Sequence, residues 1–165
     1  MATLIELSIA KAIHKIDPVL DPGQQELRAF YASPKLLQWL TNVLPTLVSD
    51  RQLEDTPAQQ FDALLEIFCA GESLAVGWQF HALQPSDSDT WELKAPDIRI
   101  FGWFPRKDLF IGEDANTKRF ILDHPGIVAG YRGAVVRFRD MLALDPPKSV
   151  QGDNPEHVVS NYHYP

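Results

Sequence analysis

The chain has 165 residues, 45% of them hydrophobic, and a net charge of −7, which suffices for one buried core with a small appended lobe and argues against a nucleic-acid binder on bulk charge alone. Its single cysteine, Cys69, excludes an internal disulfide and a cysteine-ligated zinc cluster. No apolar run approaches the roughly 20 residues of a membrane-spanning helix, and the amino terminus lacks the basic, apolar, small-residue order of a signal peptide, so the expectation is a soluble, cytoplasmic protein without membrane partners.

Ile5, Ile9, Ile13 and Ile16 recur at helical spacing and predict an amphipathic helix over 3–16. Asp17-Pro18 through Pro22-Gly23 breaks the chain, and a second helix is expected over 24–31. Ser33-Pro34 reads as an N-cap followed by proline at the first helical position, opening a helix with Leu36, Leu37, Leu40, Val43 and Leu44 on one side. Residues 1–55 thus read as an amino-terminal helical extension. Thr56-Pro57 repeats the start signal for a helix striped by Phe61, Leu64, Leu65 and Phe68, which stops near Gly71.

Residues 78–83 read as a first strand, followed by a polar loop over 84–89. Trp91-Glu-Leu-Lys94 and Ile98-Arg-Ile-Phe-Gly-Trp-Phe104 then alternate with a period of two across Ala95-Pro96. With a two-residue turn there, Leu93 faces Ile98, Trp91 faces Ile100 and Glu92 faces Arg99. Phe101 and Trp103 share the face of Arg99, so both faces carry large apolar groups, and the amino-terminal helices are expected to cover the second. Pro105–Asp108 reads as a turn, Leu109–Ile111 as a fourth strand, 113–126 as a loop and 127–144 as a helix, with 146–165 a polar, extended or mobile tail. The class is α+β: a domain over 56–145 with a small antiparallel sheet of about four strands packed with helices.

Ala70-Gly-Glu-Ser-Leu74, His81-Ala-Leu83, Trp91-Glu-Leu-Lys94, Ile98-Arg-Ile-Phe-Gly-Trp-Phe104 and Lys118 together resemble the RelE/ParE toxin superfamily, in its phage-derived HigB-like branch, over about residues 57–145. The resemblance implies a RelE-like sheet and the toxin of a bacterial or prophage toxin–antitoxin system, a metal-independent, ribosome-dependent mRNA endonuclease. An antitoxin protein, the ribosome and mRNA are the implied partners, with no cofactor. The alternative is a catalytically silent protein-binding or regulatory module of the same fold, favoured by the acidic total and the extension.

Cleavage of RNA through the 2′-hydroxyl needs a base for that hydroxyl, positive charge around the phosphorane and an acid for the leaving oxygen. Residues 92–139 hold nine Lys/Arg against six Asp/Glu, an excess that places the candidates there. Lys94, Lys118 and Arg119 are the catalytic candidates, and Arg99, Arg132 and His81 the substrate-binding ones, with no metal site. Each has a plainer role to set against it: Arg99 as the ion-pair partner of Glu92, Lys94 beside Asp97 as a solvated turn residue, Lys118-Arg119 as loop charges, and His81 as a hydrogen-bonded sheet histidine. Tyr162-His163-Tyr164 ranks below the Lys118-Arg119 loop. No glycine-rich phosphate loop, His-Glu-x-x-His helix or nucleophile elbow is present.

Overall fold

A computed structural model describes all residues from Met1 to Pro165. Six strands form one sheet in the order β1-β2-β7-β6-β5-β4: β1 (His14–Ile16), β2 (Ala29–Ala32), β4 (Phe80–Ala82), β5 (Trp91–Lys94), β6 (Ile98–Arg106) and β7 (Leu109–Thr117). All neighbours run antiparallel except β2 and β7, which pair in parallel. The α+β class holds, but the sheet is mixed and larger than the four antiparallel strands expected, because residues 1–55 contribute β1 in place of the end of the first expected helix and β2 in place of the second.

The first of those helices shrinks to α1 (Leu4–Ile9), closed at its start by the reciprocal Thr3–Glu6 capping box. Lys11 then adopts φ +60° and turns the chain out of the helix. Leu4, Leu7 and Ile13 are buried, while Ile5 and Ile9 are 70% and 77% exposed, so the isoleucine stripe is not the packed face. The helix expected over 24–31 is replaced by β2, whose Phe30 and Tyr31 point into opposite cores. A short strand buried on both faces has no alternation to reveal it.

Helix α2 (Pro34–Gln38) starts where Ser33 accepts the Leu36 amide at 3.0 Å; it runs on as a π turn and a 3₁₀ turn to Thr46. Helix α3 (Pro57–Cys69) starts on the Thr56–Gln59 capping box. Both pack on one face of the sheet, over Phe30, Ile98, Ile100, Phe104 and Phe110. The opposite face is covered by α5 (Ile127–Met141) together with α1. There Phe101 stacks on Tyr131 at 4.6 Å and Trp103 meets Phe138 edge-on at 6.0 Å. Cover for the second face is therefore internal, as expected, but it comes mainly from the far end of the chain, because the amino-terminal segment is spent on strands.

The hairpin register is also corrected. Leu93 pairs with Ile100, Glu92 with Phe101 and Lys94 with Arg99, two residues beyond the expected pairing. The Ala95 amide donates to the Ile98 carbonyl at 3.1 Å, so the two-residue turn is Pro96-Asp97, one residue further on; Gln60 on α3 holds Asp97 there, accepting its amide at 2.8 Å and donating to its carboxylate at 2.7 Å. A shift of two leaves every side chain on its expected face.

Strand β7 continues to Thr117, and Lys118-Arg119 open helix α4 (Lys118–Asp123), capped by the Thr117 hydroxyl; neither residue lies in a loop. The polar run Gly112–Asn116 concealed this interior strand, since its packing depends on neighbours far away in sequence. The last twenty residues are ordered as well. Helix α6 (Pro155–Val158) buries Val158, with Val159 buried beside it, and β8 (Tyr162–His163) pairs in parallel with β3 (Leu74–Ala75).

Candidate functional site

Asp97 gathers four segments around the hairpin turn. Its carboxylate accepts from Ser49 Oγ at 2.6 Å and Gln60 Nε2 at 2.7 Å, and its carbonyl accepts from the Lys118 amide at 2.8 Å. These bonds tie the 47–56 connection, α3 and the start of α4 to the end of the sheet. The result is an open cavity of ≈ 520 Å³ lined by Arg51, Lys94, Arg99 and Lys118, with Asp55 as its carboxylate and Gln60, Trp78 and Gln79 on its wall.

Four cations in one cleft repel one another. Burial pushes the Lys94 ammonium below its ordinary value; Glu92 opposes this, and Arg99 and Lys118 add to it. Burial likewise lowers Arg99, with Glu92 opposing and Arg51 adding to the effect. An entering anion relieves this repulsion, which is the electrostatic signature of an anion site. Lys94 Nζ donates to the Gly77 carbonyl at 3.0 Å, leaving two N–H groups. Arg99 Nη1 donates to the Ala95 and Ile98 carbonyls, and Nε lies 3.3 Å from Glu92 Oε1, leaving Nη2 for a ligand. Arg51 and Lys118 spend no side-chain donor on the protein.

Of the residues predicted from sequence, Lys94, Arg99 and Lys118 thus come together. Arg119 does not line this cavity: its side chain is 63% exposed and lies 3.3 Å from Asp123 and 4.0 Å from Asp50. Arg132 sits on α5 and donates to the Gln84 carbonyl, bracing the 84–90 loop in company with Arg139, which donates to Ser88 and Asp89 carbonyls. His81 is joined to the cavity wall through a relay: Nε2 lies 2.7 Å from Glu92 Oε2, and the other Glu92 oxygen holds Arg99. Nε2 faces the carboxylate, and Nδ1 makes no hydrogen bond within the protein. Tyr162 and His163 lie apart, on β8, where His163 Nδ1 is 2.7 Å from Ser73 Oγ.

Compared with protein-family models, characterised proteins and solved structures, the chain matches none. No group of three His, Cys, Asp or Glu side chains is placed to hold a metal ion, and no helix is long and apolar enough to cross a membrane.

Sequence reasoning passed over Arg51, Trp78, Gln60 and the organising role of Asp97. Arg51 stands alone in a polar connection and carries no local signal. Trp78 did have one: an indole directly after Gly77, a residue that marks a turn, two positions before β4 begins.

Proposed function

We propose that this protein is a RelE/HigB-like toxin that cleaves mRNA on the ribosome through the cavity at the hairpin turn, and that a separate antitoxin neutralises it. The observation that carries this reading is the convergence of Lys94, Arg99 and Lys118, with Arg51, on one open cleft. The order of helix, strand, hairpin, strand and closing helix over 57–141 supports it. Arg51, Arg99 and Lys118 surround the scissile phosphate and stabilise the charge that grows on it. The 2′-hydroxyl oxygen attacks the adjacent phosphorus and the 5′-oxygen departs, leaving a cyclic phosphate and a 5′-hydroxyl. Lys94, whose proton is held less tightly than an ordinary ammonium's, supplies the proton to the departing oxygen. Asp55, the carboxylate on the cavity lining, takes the hydroxyl's proton, while His81 stays outside the cavity and positions Arg99 through Glu92.

A second reading has its own observation. Lys94 binds the Gly77 carbonyl of the neighbouring turn and Arg99 the carbonyls of its own hairpin, as structural cations do, and the chain is acidic overall; these suit a catalytically silent module that binds a protein partner. Induced expression, with mRNA mapped for cleavage within translated codons, separates the two. Cleavage by the wild type that disappears in Lys94→Ala and Lys118→Ala supports the nuclease, and intact mRNA with normal growth rejects it.

A further inference from the structure

Trp78 is 73% exposed, whereas Trp91 and Trp103 are fully buried. An indole this exposed offers solvent a large, flat, rigid aromatic face with a polar N–H edge. Here it is held out at the tip of a rigid turn. The Trp78 and Gln79 amides donate to the Ala75 carbonyl at 3.2 and 2.8 Å, the Gly77 amide donates to the Phe80 carbonyl at 2.8 Å, and the Ala75 amide donates to Gln79 Oε1 at 2.8 Å. Gly77 supplies the φ of +84° that the tip requires. Lys94, reaching across to the Gly77 carbonyl, fastens this turn to the cationic cleft, so the indole and the four cations line the same cavity.

We propose that Trp78 is a stacking platform for one unstacked base of a single-stranded RNA whose backbone phosphate lies among Arg51, Lys94, Arg99 and Lys118. The inference rests on the reading of the cleft as an RNA site and adds how that site selects its ligand. A flat indole beside a phosphate-sized cluster of positive charge fits a nucleotide with its base turned outward, and excludes a duplex, whose bases are already stacked. The platform tolerates any base, because every base offers a π-face.

Anisotropy of labelled oligomers at low salt tests this with three probes: a short single-stranded oligoadenylate, a base-free ribose-phosphate oligomer of equal length, and an RNA duplex. Oligoadenylate binds best and quenches the exposed indole. Trp78→Ala weakens its binding by about 5- to 150-fold, leaves the base-free oligomer's weaker binding unchanged, and is rescued by Trp78→Phe. Equal oligoadenylate affinity in wild type and Trp78→Ala overturns the proposal. So does absence of oligoadenylate binding by the wild type, or an equal loss of both oligomers in the variant. Stacking that survives while the wild type leaves ribosome-bound mRNA intact upholds the platform and removes the nuclease. Cleavage that is identical in wild type and Trp78→Ala, with equal affinities, does the reverse.

Discussion

Arg28 Nε and Asp108 Oδ1 lie 3.3 Å apart beneath the carboxyl-terminal segment, with the arginine side chain fully out of solvent. The guanidinium also donates at 2.9 Å to the carbonyls of Phe68, Glu72 and Asn161, and it faces the ring of Phe68 at 5.5 Å. Asp108 in turn accepts the Ser160 amide at 2.8 Å. One buried cation therefore joins the residue before β2, the end of α3, the β6–β7 turn and the final segment. Arg28→Met strands three carbonyls and a partly buried carboxylate, and should lower the unfolding free energy by roughly 3–5 kcal/mol. Asp108→Asn keeps an acceptor for Ser160 and tolerates the turn's φ of +63°, so it should cost less. Urea unfolding midpoints of the two variants check the order.

The cleft makes a prediction that does not depend on cleavage. Arg51→Ala and Lys118→Ala remove cations with no protein partner, so each should weaken single-stranded RNA by about 10- to 100-fold, the worth of one charged hydrogen bond. Each should also reduce the slope of log affinity against log salt by about 0.7. Arg119→Ala and Arg132→Ala lie outside the cavity and should leave both quantities near wild type. Binding isotherms at several salt concentrations decide it.

Two glycines in the central strands differ in what confronts a new Cβ. At Gly102 it meets the backbone carbonyl of Ile111 and, at 2.9 Å, the Gly112 Cα, neither of which can rotate aside. At Gly112 the first obstacle is the tip of the Leu36 side chain. Gly102→Ala should cost more than about 4 kcal/mol or abolish folding, whereas Gly112→Ala should cost about 1–3 kcal/mol of overpacking. Thermal melts of the soluble fractions measure the difference.

Glu113 is buried on β7 with Oε2 lacking a hydrogen bond. Burial raises its carboxyl above the ordinary 4.5; Lys35, 3.9 Å away, opposes the shift, and Asp114 adds to it. The folded chain then holds a proton that the unfolded chain has released between 4.5 and the raised value. Stability therefore falls as pH rises through that window and recovers on acidification. Glu113→Gln removes the buried charge, so its Tm should exceed that of the wild type at neutral pH, and the gap should close as pH drops toward 4.5. A pH series of melts tests the sign.

Local chemistry determined a definite part of this protein. Ser33-Pro34 and Thr56-Pro57 announce helix starts by themselves, because the cap and the proline act within one turn. The alternation through Trp91–Phe104 assigns faces, which a register shift of two does not alter. What the sequence could not determine rests on partners distant along the chain. Phe30 and Tyr31 form a strand only because Phe110 and Ile111 lie alongside in parallel register. Val158 and Val159 are core because the Asp108 amide takes the Val158 carbonyl, while the Asp108 carboxylate and Arg28 hold Ser160 and Asn161 just beyond. The cleft follows the same rule. Lys94 and Arg99 are hairpin neighbours and could be paired on paper, but Arg51 and Lys118 join them through Ser49, Gln60 and Asp97, and Trp78 joins them through the Gly77 carbonyl that Lys94 binds; these contacts exist only once the sheet, α3 and the 47–56 connection have closed on one another.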